Sequence, residues 1–455
     1  IVADAEWINA ADRQFPVTID PVIIDGDYTS IHDTTGAFNT LSDSYKTALE
    51  KEDEKSYLKV GWYTPSVELG SLIHSDITNK FTKLKSARIL NAQLCVPYYS
   101  DRSTANMQIN AYRITGSWPM DNSVLQPTQM PSYNTTPLDY NITNSNSKNG
   151  KIAYYDITSA VQMWADGTAA NYGILLRTTA TSGKVNMYDS DHNNSIGDTD
   201  PKFIINYRDT KGLEPYWTYT TIAAGRNTAA YINNYNGALT VVSGIASAGG
   251  NAMPVSIEYI YNHNTAAWHT NYGIKISTTT GALATNYPYY LTDADGTEHY
   301  FYKNPDNTAE YLDEDGLGYT LKRNTSSTNQ YYTITDKGNG KMHFYSDGRL
   351  YQIADANGNT QTVAYDSAKK ITSVTDGAGR VYPFTYSGTT LASIKDPAGR
   401  ATSFTYTSGK LTRITNPDGG YTDIAYSGNV ISQIQSSEDG TKVTFGKSGG
   451  PAYRT

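Results

Sequence analysis

The first half of the chain has the pattern of hydrophobic and polar positions that a β-sheet with one buried face requires. Runs such as ARILNAQLCVPYY and KFIINY alternate apolar and polar residues over lengths typical of strands. Turn-forming residues separate these runs, and no repeat is visible among them. We therefore expect a β-sandwich over residues 22–208, preceded by an extension or linker over residues 1–21.

One segment of this half has a helical period instead. In DITSAVQMWADG, Val161 and Trp164 lie one helical turn apart, and either Asp156 or Thr158 is a suitable N-terminal cap. The pattern predicts one short helix within the sandwich.

Beyond residue 345 the pattern becomes a repeat of about 20 residues. Tyrosines recur at intervals of 21, 20 and 20 residues, and apolar residues and glycines keep the same step. The columns are Tyr365, Tyr386, Tyr406 and Tyr426; Leu350, Ile371, Leu391, Leu411 and Ile431; Ile353, Val374, Ile394, Ile414 and Ile434; and Gly358, Gly379, Gly399, Gly419 and Gly440. Each unit predicts a β-hairpin with a turn glycine at positive φ. Because one hairpin cannot bury its own apolar face, we expect consecutive hairpins to form one sheet or shell over residues 346–455.

Residues 209–345 have related but less regular strand and turn patterns, and we treat them as a separate region that leads into the repeats. Acidic residues are common in its turns. We interpret the pairs as ordinary turn structure: Asp293 and Asp295 in DADG, and Asp313 and Asp315 in DEDG.

Composition agrees with an all-β protein and narrows the partners. The chain has 39 tyrosines against 9 phenylalanines and 6 tryptophans, and only 18% of its residues are charged. The net charge is −8, and the sequence has no cluster of basic residues of the kind that nucleic-acid binding requires. No run approaches the roughly 18 apolar residues of a spanning helix. We expect neither nucleic acid as a partner nor a membrane span.

The single cysteine and the two ends give further expectations. Cys95 excludes an internal disulfide, and its position in an apolar strand predicts a buried thiol. The chain starts without Met or a signal sequence and stops without a closing element, as a fragment of a longer precursor would.

The repeats resemble a known family. The units YDSAKKITSVTDGAGR, YSGTTLASIKDPAGR and YTSGKLTRITNPDGG are similar to the YD repeats of Rhs proteins, which coil into hollow β shells in bacterial polymorphic toxins, insecticidal toxin complexes and teneurins. Later units have Tyr-Ser or Tyr-Thr in place of the Tyr-Asp dipeptide. Residues 209–345 resemble the region before the regular repeats in wall-associated Rhs proteins of Gram-positive bacteria. In that family the shell presents or encloses a C-terminal effector, commonly a toxin.

The first half resembles a second family. FPVTIDP, YYDITSAVQMWADGTAANYGILLRTT and DTDPKFIINYRD are similar, in this order, to DNRLRE-type jelly-roll domains. Those domains are related to carbohydrate-binding modules and often precede YD repeats in secreted proteins. The resemblance implies a jelly-roll sandwich, a secreted or cell-surface location, and a cell-wall or surface polysaccharide as a partner.

A calcium loop is the first candidate site. DSDHNNSIGDTD places Asp189, Asp191 and Asn193 at positions 1, 3 and 5 of such a loop, and Asp200 at position 12. The alternative is a polar hairpin loop, because Asn194 replaces the usual turn glycine. Ca²⁺ is the only cofactor that the sequence suggests.

A sugar platform is the second candidate site. Exposed aromatic rings bind sugar faces, and Trp62, Trp118 and Tyr98 are the candidates in the first domain. Trp118 could equally belong to the core, and only one of the adjacent rings Tyr98 and Tyr99 can point outward.

Catalytic motifs are weak, so we expect a protein that is not an enzyme. The one Gly-x-Ser-x-Gly match, centred on Ser448, lacks the strand-to-helix context of a nucleophile elbow. The sequence favours a non-catalytic surface scaffold that attaches to a surface or glycan and presents an effector carried outside this chain. The alternative is a structural subunit of an extracellular fibre, in which copies associate by strand exchange at open sheet edges.

Overall fold

The computed structural model describes residues 22–25, 31–39, 41–49, 57–77, 84–85, 87–99, 106–120, 123–143, 151–190, 200–250, 252–280, 284, 287–447 and 453–454. Within these residues the chain divides into two compact units, and the division falls between Asp209 and Thr210. We call the first the sandwich unit and the second the repeat unit. Almost every regular element in both is a β-strand, which confirms the all-β prediction.

The sandwich unit contains eleven described strands in two antiparallel sheets. One sheet has the order β1-β11-β5-β8; the other has the order β10-β3-β4-β9-β6-β7, with β2 paired to β4. The strands are β1 (Val22–Asp25), β2 (Ile31–Ala37), β3 (Tyr57–Thr64), β4 (Val67–Ser75), β5 (Arg88–Pro97), β6 (Gln108–Arg113), β7 (Asp139–Ile142), β8 (Ile152–Asp156), β9 (Ile174–Thr178), β10 (Lys184–Tyr188) and β11 (Lys202–Arg208). The described residues of this unit also form two helices, α1 (Asp43–Leu49) and α2 (Thr158–Ala165), and a 3₁₀ turn at Pro127–Gln129.

The alternating pattern of the sequence does set which side chains are buried. In β11, Phe203, Ile205 and Tyr207 are buried and the residues between them are half-buried. Cys95 in β5 is also buried, as predicted, and burial raises the pKa of its thiol to about 11.

Helix α2 is the predicted helix, and it packs on β5. Val161 and Trp164 are both buried. The N-cap is Ile157 and not Asp156 or Thr158, although the Asp156 carboxylate, one residue earlier, accepts a hydrogen bond from the Thr158 N–H at 2.9 Å. Thr158 Oγ1 in turn accepts from the backbone N–H of Ala92 at 2.9 Å. Helix α1 has only seven residues, too few for a helical period to show in the sequence. No helix in the described part of the chain has the length and apolarity needed to cross a membrane.

The repeat unit begins with a five-stranded antiparallel meander in chain order. Its strands are β12 (Tyr219–Ala223), β13 (Thr228–Asn233), β14 (Leu239–Ser247), β15 (Ser256–Asn262) and β16 (Ala267–Thr270).

A 17-stranded antiparallel sheet follows, also in chain order. It continues across residue 345 without a break. Its strands are β17 (Lys275–Thr278), β18 (Tyr289–Thr292), β19 (Glu298–Lys303), β20 (Glu310–Asp313), β21 (Thr320–Arg323), β22 (Tyr332–Thr335), β23 (Lys341–Phe344), β24 (Leu350–Ala354), β25 (Thr360–Tyr365), β26 (Ile371–Thr375), β27 (Val381–Ser387), β28 (Thr390–Lys395), β29 (Ala401–Thr407), β30 (Lys410–Thr415), β31 (Tyr421–Ser427), β32 (Val430–Ser436) and β33 (Lys442–Thr444). The short strands β34 (Gly446–Lys447) and β35 (Tyr453–Arg454) pair with each other.

Each repeat hairpin contains a β-bulge. Opposite Thr385 and Tyr386, the pairing in β28 skips Ala392, which is an extra residue in that strand. The same shift recurs in β26, β30 and β32. Residues three apart on a regular strand point to opposite faces, but the extra residue brings both Leu391 and Ile394 to the buried face. The Leu/Ile-x-x-Ile/Val spacing of the repeat is therefore the sequence signature of this bulge.

The turns at the other end of the hairpins explain the Asp-x-x-Gly-Arg pattern. Asp376 Oδ1 accepts hydrogen bonds from the backbone N–H groups of Ala378 and Arg380, and its Oδ2 lies 2.7 Å from Arg380 Nε. As predicted, the turn glycines adopt φ between +69° and +91°: Gly358, Gly379, Gly399, Gly419 and Gly440.

The buried face of the repeats packs against the five-stranded meander, and the two sheets share one hydrophobic core. Polar contacts fix their alignment at separate points. Trp268 Nε1 donates to the Tyr426 hydroxyl at 2.9 Å, and Thr402 Oγ1 donates to the Ile245 carbonyl at 3.2 Å. Tyr426 thus bonds to the meander as well as packing within the sheet.

One column of the repeat changes from unit to unit, although every member is buried: Gln361, Tyr382, Thr402 and Thr422. Gln361 Nε2 donates to the carbonyl of Pro254 at 2.9 Å, and its Oε1 accepts from the Tyr272 hydroxyl at 2.8 Å. At Gln361 and Thr402 the residue type therefore matches a carbonyl group in or beside the meander that accepts its hydrogen bond.

We expect Tyr382→Phe to leave the free energy of unfolding of the repeat unit unchanged or to raise it by up to about 1 kcal/mol. Among the described residues the buried Tyr382 hydroxyl has no hydrogen-bond partner, so removing it relieves an unsatisfied polar group. Urea denaturation of both proteins measures the change.

Tyr426→Phe is the matched control. It removes both the acceptor of Trp268 Nε1 and the donor to the Leu411 carbonyl at 2.9 Å, and we expect a loss of about 1–2 kcal/mol. Equal losses in the two variants would contradict the assignment of Tyr382 as unpaired.

Candidate functional site

A buried histidine in β19 lies among carboxylates from three separate segments. His299 is 3% exposed. Its Nδ1 lies 2.8 Å from Asp315 Oδ2, and its Nε2 lies 3.3 Å from Asp293 Oδ2 and 3.6 Å from Glu214 Oε1. We call Glu214, Asp293, Asp295, His299 and Asp315 the acid–histidine cluster.

The turn between β18 and β19 positions Asp293. Its Oδ1 accepts hydrogen bonds from the backbone N–H groups of Asp295 and Thr297, at 3.1 and 2.9 Å. This use of Oδ1 in the turn directs Oδ2 toward His299. Thr297 Oγ1 also donates to Asp295 Oδ1, so the second aspartate is held by the same turn.

Asp295 ties the turn to the segment that carries Glu214. Its Oδ2 accepts from the Leu213 N–H at 2.6 Å, and Thr297 Oγ1 lies 3.1 Å from the Lys211 carbonyl. Gly212, at φ +65°, is required here because a Cβ atom would lie 2.3 Å from Asp295 Oδ1. The Tyr219 hydroxyl lies 2.8 Å from the Glu214 backbone nitrogen and completes the anchor.

Asp315 comes from the turn between β20 and β21. The neighbouring Asp313 carboxylate shapes this turn by accepting hydrogen bonds from the N–H groups of Leu317 and Tyr319. Asp315 is therefore free to orient the His299 ring through Nδ1.

Burial and charge shift the titration of the cluster. Burial raises the pKa of Glu214 to about 8, and burial together with the charge of Asp293 raises the pKa of Asp295 to about 6. Burial acts to lower the pKa of His299, but its hydrogen bonds with Asp293 and Asp315 outweigh burial and raise it well above the usual value. The pKa of Asp293 is lowered, because its interaction with His299 outweighs burial. Near neutral pH these shifts favour a protonated Glu214 carboxyl group beside a charged pair of His299 and Asp293.

Glu214, Asp293 and His299 have the chemistry of a metal-ligand set. One ligand atom from each lies within 4.8 Å of the other two. Two carboxylates and one imidazole match the preferences of first-row divalent transition metals.

The sequence indicates only part of this cluster. The paired aspartates do lie in turns, as the sequence predicts, and both Asp293 and Asp313 accept backbone hydrogen bonds there. The sequence does not show that Asp293 and Asp315 also contact His299. The short spacing between Asp293 and His299 is a local sequence signal that could have indicated their contact. Glu214 had no such signal, because it lies far away in the sequence.

The predicted calcium loop falls partly outside the described residues. Asp191 and Asn193 lie outside them, whereas Asp189 is buried after β10 and Asp200 is half-buried before β11. Calcium binding by this loop stays a prediction.

The predicted sugar-platform residues occupy different environments. Trp118 and Tyr98 are buried, with Trp118 Nε1 donating to the Tyr172 carbonyl and the Tyr98 hydroxyl to Asn141 Oδ1. Trp62 is half-buried, and its Nε1 donates to the Ala180 carbonyl. Of the three, Trp62 alone is not buried. Sugar binding stays a prediction.

No family model matches the chain. Part of the chain resembles WapA nucleases of Bacillus. It is 28% identical over 186 residues to the tRNA3(Ser)-specific nuclease WapA of Bacillus spizizenii, and 28% identical over 193 residues to the tRNA nuclease WapA of Bacillus subtilis strain 168. Each match covers 39% of this chain, and the chain spans about 7% of the length of these curated relatives.

Proposed function

We propose that this chain is a non-catalytic, secreted or cell-surface scaffold from an Rhs/YD-repeat protein. In this proposal the sandwich unit attaches to a cell-wall or surface polysaccharide, and the repeat unit presents or encloses an effector carried elsewhere in the longer protein. The relatives are named as nucleases, and the proposal assigns that activity to parts of such proteins that this chain does not match.

The 17-stranded sheet is the observation that carries the scaffold proposal. Its hairpins add in chain order, and their bulged strands bury one face in a core shared with the five-stranded meander. Such a repeat sheet is typical of a scaffold, since each hairpin is stabilised only by its neighbours and the meander. Partial similarity to the WapA proteins, together with the YD-like repeat, supports the family assignment.

We expect the purified chain to sediment with isolated Gram-positive cell walls and to leave total tRNA intact. Sedimentation would follow from polysaccharide attachment, and intact tRNA from the absence of nuclease chemistry. Gel electrophoresis of the tRNA and assay of the wall pellet measure the two outcomes.

Trp62→Ala should reduce the wall-bound fraction, whereas Trp217→Ala, at a half-buried tryptophan of the repeat unit, should not. Cleaved tRNA would overturn the non-catalytic proposal, and absence from the pellet would overturn attachment. Light scattering and negative-stain microscopy should show particles of the 49.9 kDa chain mass. Regular filaments would instead establish the fibre alternative.

A further inference from the structure

We propose that Glu214, Asp293 and His299 bind one divalent transition-metal ion of the Zn²⁺ type. The ion would join the Lys211–Glu214 segment to the hairpin that carries Asp293 and His299. This proposal goes beyond the scaffold function and does not depend on it.

The orientation of His299 is the first argument. Its Nδ1 is engaged by Asp315 at 2.8 Å, which leaves the Nε2 atom directed at the carboxylates of Asp293 and Glu214. A carboxylate that holds one ring nitrogen while the other faces oxygen ligands is the usual support of a metal-binding histidine.

The distances are the second argument. With metal–ligand bonds of 2.0–2.2 Å, neighbouring ligand atoms in a tetrahedral site are about 3.3–3.6 Å apart. His299 Nε2 lies 3.3 Å from Asp293 Oδ2 and 3.6 Å from Glu214 Oε1. Both distances from His299 therefore match those around a bound ion, and all three ligand atoms lie within 4.8 Å of one another.

The environment of Glu214 is the third argument. Its side chain is 3% exposed, and its Oε1 is too far from His299 for a hydrogen bond. Among the described residues, nothing donates a hydrogen bond to this carboxylate. An ionised carboxylate is costly in this position, so the group is either protonated or neutralised by a cation, and a bound metal ion would take the place of the proton.

The ligand types select the ion, and the exposure of Asp293 gives it access. Imidazole nitrogen is a poor ligand for Ca²⁺ and Mg²⁺, which prefer oxygen, but a good one for Zn²⁺. The Asp293 side chain is 30% exposed, so the cluster opens to solvent on that side. Three protein ligands leave a fourth position for water.

The test is calorimetric titration of the chelator-treated, folded chain with ZnCl₂, with MnCl₂ and CaCl₂ as comparators. We expect one Zn²⁺ per chain, weaker Mn²⁺ binding, and a rise in the melting temperature of about 5 °C or more at saturating Zn²⁺. EDTA should reverse the rise.

Glu214→Gln and Asp293→Asn should each weaken Zn²⁺ binding at least tenfold and remove the melting-temperature rise. Asp315→Asn, which acts through the ring orientation, should weaken binding by roughly 10–100-fold. Glu310→Gln is the matched control, because Glu310 pairs with Lys322 on the adjacent hairpin and lies outside the cluster. It should bind Zn²⁺ as the parent does.

Asp293→Asn keeps the test valid if the buried Glu214→Gln fails to fold, since Asp293 is partly exposed. Uptake of less than a tenth of an equivalent of Zn²⁺ by the folded parent would overturn the proposal. Parental affinity in both ligand variants would also overturn it, because the ion would then bind elsewhere.

Discussion

Ile394→Asp will lower the free energy of unfolding of the repeat unit by more than about 4 kcal/mol. Ile394 is fully buried in the shared core and pairs with Phe384 across the hairpin. The substitution removes about 2–3 kcal/mol of apolar burial and places a carboxylate where no water solvates it. Leu391→Asp should have a similar effect, because the bulge at Ala392 brings both side chains to the same face.

Lys395→Asp is the matched control for these two variants. Lys395 follows Ile394 directly and is exposed, so we expect a change within about 0.5 kcal/mol. Hydrogen exchange followed by mass spectrometry measures the protection of the repeat unit and of the sandwich unit separately, so the stability loss of each variant can be assigned to its unit. If only one of Leu391 and Ile394 were sensitive, the strand would be regular and the bulge would be wrong.

Gly348→Ala should cost the repeat unit at least about 3 kcal/mol. Gly348 lies in the turn between β23 and β24, and its carbonyl accepts a hydrogen bond from the Ile276 N–H in β17 at 2.9 Å. A Cβ atom on Gly348 would lie 1.8 Å from the Ile276 carbonyl oxygen. The turn would have to leave β17, which ends its contact with the first strand of the 17-stranded sheet.

Gly358→Ala isolates the cost of the backbone conformation. Both glycines sit in turns with the same hydrogen-bond pattern, at φ +82° and +87°, but a Cβ atom on Gly358 meets nothing within 4 Å. We expect Gly358→Ala to cost only about 1 kcal/mol. Chemical denaturation of both variants measures the difference, and equal losses would show that the contact between the turn and β17 contributes nothing.

The repeat was predictable because its information is local. Each unit carries its own turn glycine, its Asp cap and its apolar positions, so a period of about 20 residues was enough to predict stacked hairpins. Helix α2 was predictable for the same reason, because Val161 and Trp164 mark one face within a single turn. Alternation in β11 likewise determined which side chains are buried.

The path of the sheet and the candidate site required the tertiary structure. The i, i+3 spacing of Leu391 and Ile394 fits a strand only once the pairing shows a bulge. The meander packs on the repeats, and β17 contacts the turn at Gly348 through the Ile276 N–H. Both contacts join residues that have no periodic relation in the sequence.

The acid–histidine cluster shows the same division most clearly. The acidic Gly turns of the cluster are recognisable from the sequence, and the structure has turns at these positions. Whether the second carboxylate oxygen of the turn aspartate faces solvent or a buried imidazole depends on which distant segment packs beside the turn. Here Asp295 and Gly212 bring Glu214 to His299 through contacts between segments far apart in the chain. The sequence alone determined the strands, the turns and the repeat, because their causes lie within a few residues. Tertiary packing decided the cluster, because a buried carboxylate gains a role only from the groups that packing places around it.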